Sequence, residues 1–145
     1  MLAYKPGSGV DAMVQPTFPS KEWAEEFCKT LDSSEKYRSA AKGWVYPILF
    51  KISDGGQGFI LDLKDGRCLG VQWFDDASRA DAPVIISGRL SDWLDVINGK
   101  VNPLTALLTR RLRIEKGDLS LILRYSAAAV AMVSAAQRVG VAGQQ

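Results

Sequence analysis

The sequence contains no histidine and only two cysteines among its 145 residues. The first absence removes the Ser-His-Asp and Cys-His nucleophile systems, the imidazole general base and every histidine-bearing metal site. Cys28 and Cys68, forty residues apart, cannot build a four-thiolate zinc cage. They read as small buried apolar residues, with a reducing compartment as the simpler assumption. No metal, cofactor or catalytic residue is expected. Long hydrophobic runs are also missing, so no segment reads as a transmembrane helix. Met1 to Pro19 has Pro6, Gly7, Gly9, Pro16 and Pro19 but not the basic start and apolar core of a secretory signal, and it reads as an extended arm. The end, Ala142 to Gln145, lacks a peroxisomal Ser-Lys-Leu. The expected location is the cytoplasm.

A strong charge of either sign is lacking too. The formal net charge is +2, and residues 1–88 carry ten Lys/Arg against twelve Asp/Glu while 89–145 carry eight against four. That asymmetry is too small for a nucleic-acid protein, and the basic residues are not interleaved with aromatics as a strand-binding groove requires. What remains is 47% hydrophobic and 23% charged. This suits one globular domain, expected over 20–138 between the arm at 1–19 and a frayed tail at 139–145.

Periodicity places the elements. Trp23, Phe27 and Leu31 recur every four residues behind Ser20, which predicts a capped amphipathic helix. Asp32 and Glu35 stand at capping-box spacing before a second short helix ending at Gly43. From Val45 the period becomes two, giving a strand to Ile52 that Pro47 marks as an edge or a bulge. The turn Asp54 to Gly58, a strand with Phe59, Leu61 and Leu63 on one face, the hairpin Asp65-Gly66 and a strand from Arg67 to Phe74 complete a three-stranded meander. The Gly55 to Gly58 segment lacks the ending of a phosphate loop, and Asp75 and Asp76 read as a polar loop rather than paired catalytic carboxylates. Pro83 to Ser87 is a fourth strand, Ser91 caps a helix through Ile97, Asn102-Pro103 opens another, and Arg111 to Lys116 is a fifth strand. Asp118 caps a last helix to about Arg138 whose only internal charge is Arg124. A helix without a polar face is buried or covers something apolar that is not protein.

The run Ala82-Pro83-Val84-Ile85-Ile86-Ser87-Gly88, then Ser91-Asp92-Trp93-Leu94-Asp95-Val96-Ile97-Asn98-Gly99-Lys100, then Asn102-Pro103 and Leu112-Arg113-Ile114 leading to Gly117-Asp118, resembles the type-two sterol carrier protein domain family. The match is close over about 60 residues and looser over the upstream meander. Two positions depart from the family pattern: Arg110 stands where members have a glycine, and Glu115-Lys116 place one residue more before Gly117, expected as a bulge. The resemblance implies an α+β fold: a five-stranded, mostly antiparallel sheet covered on one face by helices, with an apolar tunnel between the layers. It implies non-covalent binding or transfer of a fatty acid, acyl-CoA, phospholipid or sterol.

The expected tunnel walls are Phe59, Leu61, Trp73, Ile85, Trp93, Ile97, Leu104, Leu108, Leu123 and Val130. Each is equally legible as ordinary core, because a tunnel needs apolar wall beyond what packing fills and sequence does not display that excess. Arg110, Arg111, Arg113 and Lys116 form a basic cluster, read either as a solvated strand face or as a docking patch for anionic membrane or a CoA phosphate. Two other functions stay open: an interaction or homodimer module packing through the last helix, and an accessory subunit that presents a CoA-linked substrate to an enzyme.

Overall fold

Antiparallel pairing sets Phe50 opposite Phe59, and parallel pairing sets the same Phe50 opposite Ile86. This register organises the structure, a computed structural model that describes residues 16–141. The strands are β1 (Ile48–Ile52), β2 (Gly58–Lys64), β3 (Arg67–Phe74), β4 (Val84–Gly88) and β5 (Leu112–Lys116), in the order β3-β2-β1-β4-β5. The first three form the expected meander, β4 lies parallel to β1, and β5 adds an antiparallel edge. The α+β class and the mostly antiparallel sheet agree with the sequence reading. One strand is misplaced by it: β1 is central, not an edge. Pro47 precedes the first paired residue, Ile48, so the missing proline N–H removes no ladder bond.

Six helices accompany the sheet among the described residues. α1 (Lys21–Asp32) begins at Ser20, whose hydroxyl accepts from the Trp23 N–H at 3.0 Å, and it buries Trp23, Ala24, Phe27, Cys28 and Leu31. α2 (Glu35–Ala40) is capped by Ser34 rather than Asp32. Asp32 is engaged elsewhere: it accepts from Arg67 at 2.6 Å and from the Cys68 N–H at 3.1 Å, tying the end of α1 to β3. α3 (Leu90–Ile97) starts before Ser91, because the Asp54 carboxylate in the β1–β2 turn accepts from the Leu90 N–H at 2.9 Å. α4 (Pro103–Leu108) starts as expected, with Asn102 Oδ1 accepting from the Leu104 N–H at 2.8 Å. The single last helix is in fact two, α5 (Leu119–Arg124) and α6 (Ser126–Val139), separated at Tyr125. Tyr125 packs its ring edge-on against Trp44 with centroids 5.2 Å apart.

Cys28 and Cys68 are buried but are not free thiols: they form a disulfide between α1 and β3. The expected ends also move. Most of the 1–19 arm lies outside the described residues, yet Phe18 is buried against Trp23. Val139 and Val141, placed by the sequence reading in a frayed tail, are buried, and the Gly140 carbonyl accepts from Trp23 Nε1 at 2.6 Å.

Both departures from the family pattern have a local explanation. Arg110 has φ 64°, the left-handed region that glycine enters without steric cost. The extra residue is Glu115: Ile86 pairs with Ile114 and Ile85 with Lys116, which leaves Glu115 unpaired as a bulge.

The Asp32 and Asp81 carboxylates give the fold a defined acid limit. The hydrogen bond from Arg67 holds Asp32 below the ordinary 3.8, and the one from Lys116 does the same for Asp81. Because folding lowers both values, their contribution is complete above about 3.8 and disappears as pH falls through the lower folded values. With no histidine to titrate, the thermal midpoint is expected to change little from pH 6 to pH 8 and to fall below pH 4, as a thermal-unfolding series would record.

Candidate functional site

Alternation in the strands sends Ile48, Phe50 and Ile52 of β1, Phe59, Leu61 and Leu63 of β2, and Val84 and Ile86 of β4 toward the helices. The helices do not fill all the space above them. A cavity of about 120 Å³, partly open to solvent, lies between the sheet and α2, α3, α4, α5 and α6. Its floor is Ile48, Phe50, Leu63, Ile86 and Leu112. Tyr37, Val96, Leu107, Ile122, Met132 and Val133 approach it from the helices, and no Lys, Arg, Asp or Glu lines it.

A second apolar cavity of about 70 Å³ lies beside the first, walled by Phe18, Trp23 and Phe27 on one side and Phe59, Ile97 and Ala136 on the other. Phe50, Trp93, Val96, Met132 and Val133 belong to both cavities. These five side chains form the partition between two spaces in one layer. Trp93 is fixed in it by a hydrogen bond from Nε1 to the Lys51 carbonyl at 2.9 Å, and Phe50 meets both Phe59 and Trp93. Met132 is unbranched and polarisable, the most adaptable side chain of the five.

The expected wall residues divide by position. Trp93 lines both cavities, and Phe59 and Ile97 line the second. Leu61 is wholly buried in the core beneath them, and Trp73 stacks on Phe59 at 6.4 Å without reaching either cavity. Ile85 faces the opposite side of the sheet, packed with Leu49 and Ala82. Leu104 is half-buried outside both cavities. Leu108, Leu123 and Val130 are 62%, 38% and 43% exposed, and each follows a residue that lines the first cavity or contacts its wall: Leu107, Ile122 and Ala129. The buried stripe of α6 is alanine, at Ala128, Ala131 and Ala135, with the larger Val130 outside.

The basic cluster is also divided. Arg111 is bonded to the buried Asp92 at 2.9 Å and to Asp95, while Lys116 pairs with Asp81 at 2.9 Å. Arg110 and Arg113 make no ion pair among the described residues, and with Arg89, Arg111, Asp92 and Glu115 they line a separate groove of about 560 Å³. Among the described residues no three metal-ligating side chains converge, and no helix is long and apolar enough to cross a membrane.

Comparison with known proteins agrees with this fold. The model of the SCP-2 sterol transfer family matches residues 24–130. A crystal structure of sterol carrier protein 2 is 30% identical, superposes with a TM-score of 0.76, and is matched over 85% of this chain and 98% of its own. A conserved hypothetical protein, possibly sterol carrier protein, from Thermus thermophilus is 27% identical with a TM-score of 0.79 over 90% of this chain and 96% of its own. The ubiquinone synthesis protein UbiJ-SCP2, 20% identical with a TM-score of 0.50 over 79% of this chain and 94% of its own, shares the fold. No curated protein matches the sequence.

Proposed function

The chain belongs to the SCP-2 sterol transfer family, and from that premise we propose that it is a non-catalytic carrier that binds an extended lipid between its sheet and its helices. The observation that carries this reading is the pair of adjoining apolar cavities divided by Phe50, Trp93, Val96, Met132 and Val133. Movement of the partition side chains joins them into the continuous space that a chain-like ligand needs. Binding then comes from removing the chain from water, at about 0.8 kcal/mol per methylene before the cost of ordering it. In this reading the chain holds its ligand without making or breaking a bond in it.

Pro103, Leu107, Tyr125 and Ala129, four of the half-buried residues of the cavity wall, support an entrance between α4 and the α5–α6 junction. Exposed Leu108, Leu123 and Val130 around that entrance, with Arg110 and Arg113 near by in sequence, suit transient contact with an anionic membrane. Each basic residue near such a surface contributes about 1 kcal/mol.

The test is retention and release of a fluorescent long-chain fatty acid. Delipidated protein is expected to hold it at micromolar concentration and to deliver it faster to anionic than to neutral vesicles, with that difference reduced in Arg110→Glu/Arg113→Glu. No retention at micromolar concentration removes the carrier reading. Retention with no dependence on vesicle charge removes the membrane contact alone.

A further inference from the structure

Four wall side chains of the first cavity carry a polar group: Tyr37, Trp44, Trp93 and Tyr125. Three are accounted for. Trp44 Nε1 donates to the Tyr46 carbonyl at 2.6 Å, Trp93 Nε1 donates to the Lys51 carbonyl at 2.9 Å, and Tyr125 is half-buried, within reach of water. Tyr37 is different. It is 1% exposed, its backbone N–H bonds to Ser34, and its hydroxyl has no hydrogen-bond partner among the described residues. That hydroxyl is nevertheless not sealed in protein, since among the described residues the fully enclosed side-chain polar atom without a partner is Gln57 Oε1. Tyr37 lines the cavity and is 1% exposed overall, so we take the small accessible surface of its hydroxyl to lie on the cavity side.

Buried hydroxyls in proteins are almost always bonded, because an unmet one forfeits the hydrogen bonds it had in water. A lipid that fills the cavity displaces water from a hydroxyl on its wall, so the bond must then come from the ligand. We propose that Tyr37 is a specificity-determining residue whose hydroxyl hydrogen-bonds a neutral oxygen on the bound lipid, of the hydroxyl, ester or keto class. This rests on the carrier reading above and narrows its ligand.

The charge of that oxygen follows from the wall. No Lys or Arg lines the cavity, so an ionised carboxylate or phosphate drawn in to Tyr37 would be buried without a counter-charge, at high cost. A neutral oxygen carries no such penalty. An ionised headgroup, where the lipid has one, stays at the entrance and outside the apolar space. Tyr37 itself remains a neutral donor and acceptor at every physiological pH, since burial pushes its phenol up to about 12. It can therefore serve a ligand hydroxyl in either sense and an ester or ketone as donor.

The experiment compares a long-chain primary alcohol with the alkane of the same chain length, each displacing a fluorescent fatty acid from delipidated full-length protein. In Tyr37→Phe, affinity for the alcohol is expected to fall roughly five- to tenfold, the loss of one hydrogen bond, while the alkane binds unchanged or slightly tighter. Tyr46→Phe, at an exposed tyrosine that lines neither cavity, leaves both ligands unchanged. The thermal midpoint of Tyr37→Phe without ligand stays level or rises, because the lost hydroxyl had no protein partner. Equal losses for alcohol and alkane, or no loss for either, overturn the anchor while leaving the carrier reading intact. If the unsubstituted protein binds neither ligand, the carrier reading itself fails and the anchor falls with it.

Discussion

Val133→Trp is expected to reduce retention of a long-chain lipid about a thousandfold while leaving the protein folded. Val133 belongs to the partition between the two cavities, so an indole there occupies the passage from one to the other. A ligand confined to one side loses burial of roughly five methylenes, worth about 4 kcal/mol, or nearly three powers of ten in affinity. The folded state tolerates the change because the added ring enters existing space, and overpacking elsewhere typically costs about 1–3 kcal/mol. Displacement of a fluorescent fatty acid reads the first effect and urea denaturation the second. An unchanged affinity in a folded Val133→Trp variant would show that the lipid does not cross the partition.

The second large effect concerns the disulfide. Cys28 and Cys68 close a loop with a sequence separation of 40 and hold α1 on β3. Opening a loop of that length returns chain entropy to the unfolded state, for a loss of about 4 kcal/mol, which lowers the thermal midpoint by roughly 10 °C in a chain of this size. Reduction with a small thiol reductant and the double substitution Cys28→Ser/Cys68→Ser are expected to agree, and the unreduced protein to show no reactive thiol when unfolded. The Asp32 bonds to Arg67 and the Cys68 N–H sit beside the bridge, so α1 stays attached near the same place after reduction. Because α1 supplies Trp23 and Phe27 to the second cavity, the reduced protein is also expected to bind lipid more weakly. Equal stability of the oxidised and reduced forms would contradict this account of the bridge.

The elements were legible wherever one period dominated. Trp23, Phe27 and Leu31 declared the buried stripe of α1, and Phe59, Leu61 and Leu63 declared the inner face of β2. Legibility failed where a segment is apolar on every side. Val84, Ile85 and Ile86 give no parity, so the sequence does not show that Ile85 faces away from the helices, as the pairing of Phe50 with Ile86 makes it do. The Ala-rich α6 gives no stripe either, so its sequence does not separate the exposed Val130 from the wall residues Met132 and Val133. Tyr37 falls on the apolar face of a six-residue helix, and nothing local tells a cavity wall there from ordinary core. The disulfide was hidden for a related reason: a separation of 40 residues states no distance until α1 is laid on β3. The arginines show the reverse case, in which a cluster read as one patch is divided by Asp81, Asp92 and Asp95, none of them local to it in sequence.

The central claim is that the space between sheet and helices is a lipid site and not a packing defect. Native mass spectrometry of the purified protein tests it most directly, before and after delipidation and again after incubation with a long-chain alcohol. The account predicts a species heavier than the bare chain by one lipid, lost on delipidation, restored by the alcohol, and absent from Val133→Trp. A bare chain under all three conditions, with the disulfide intact, would contradict it.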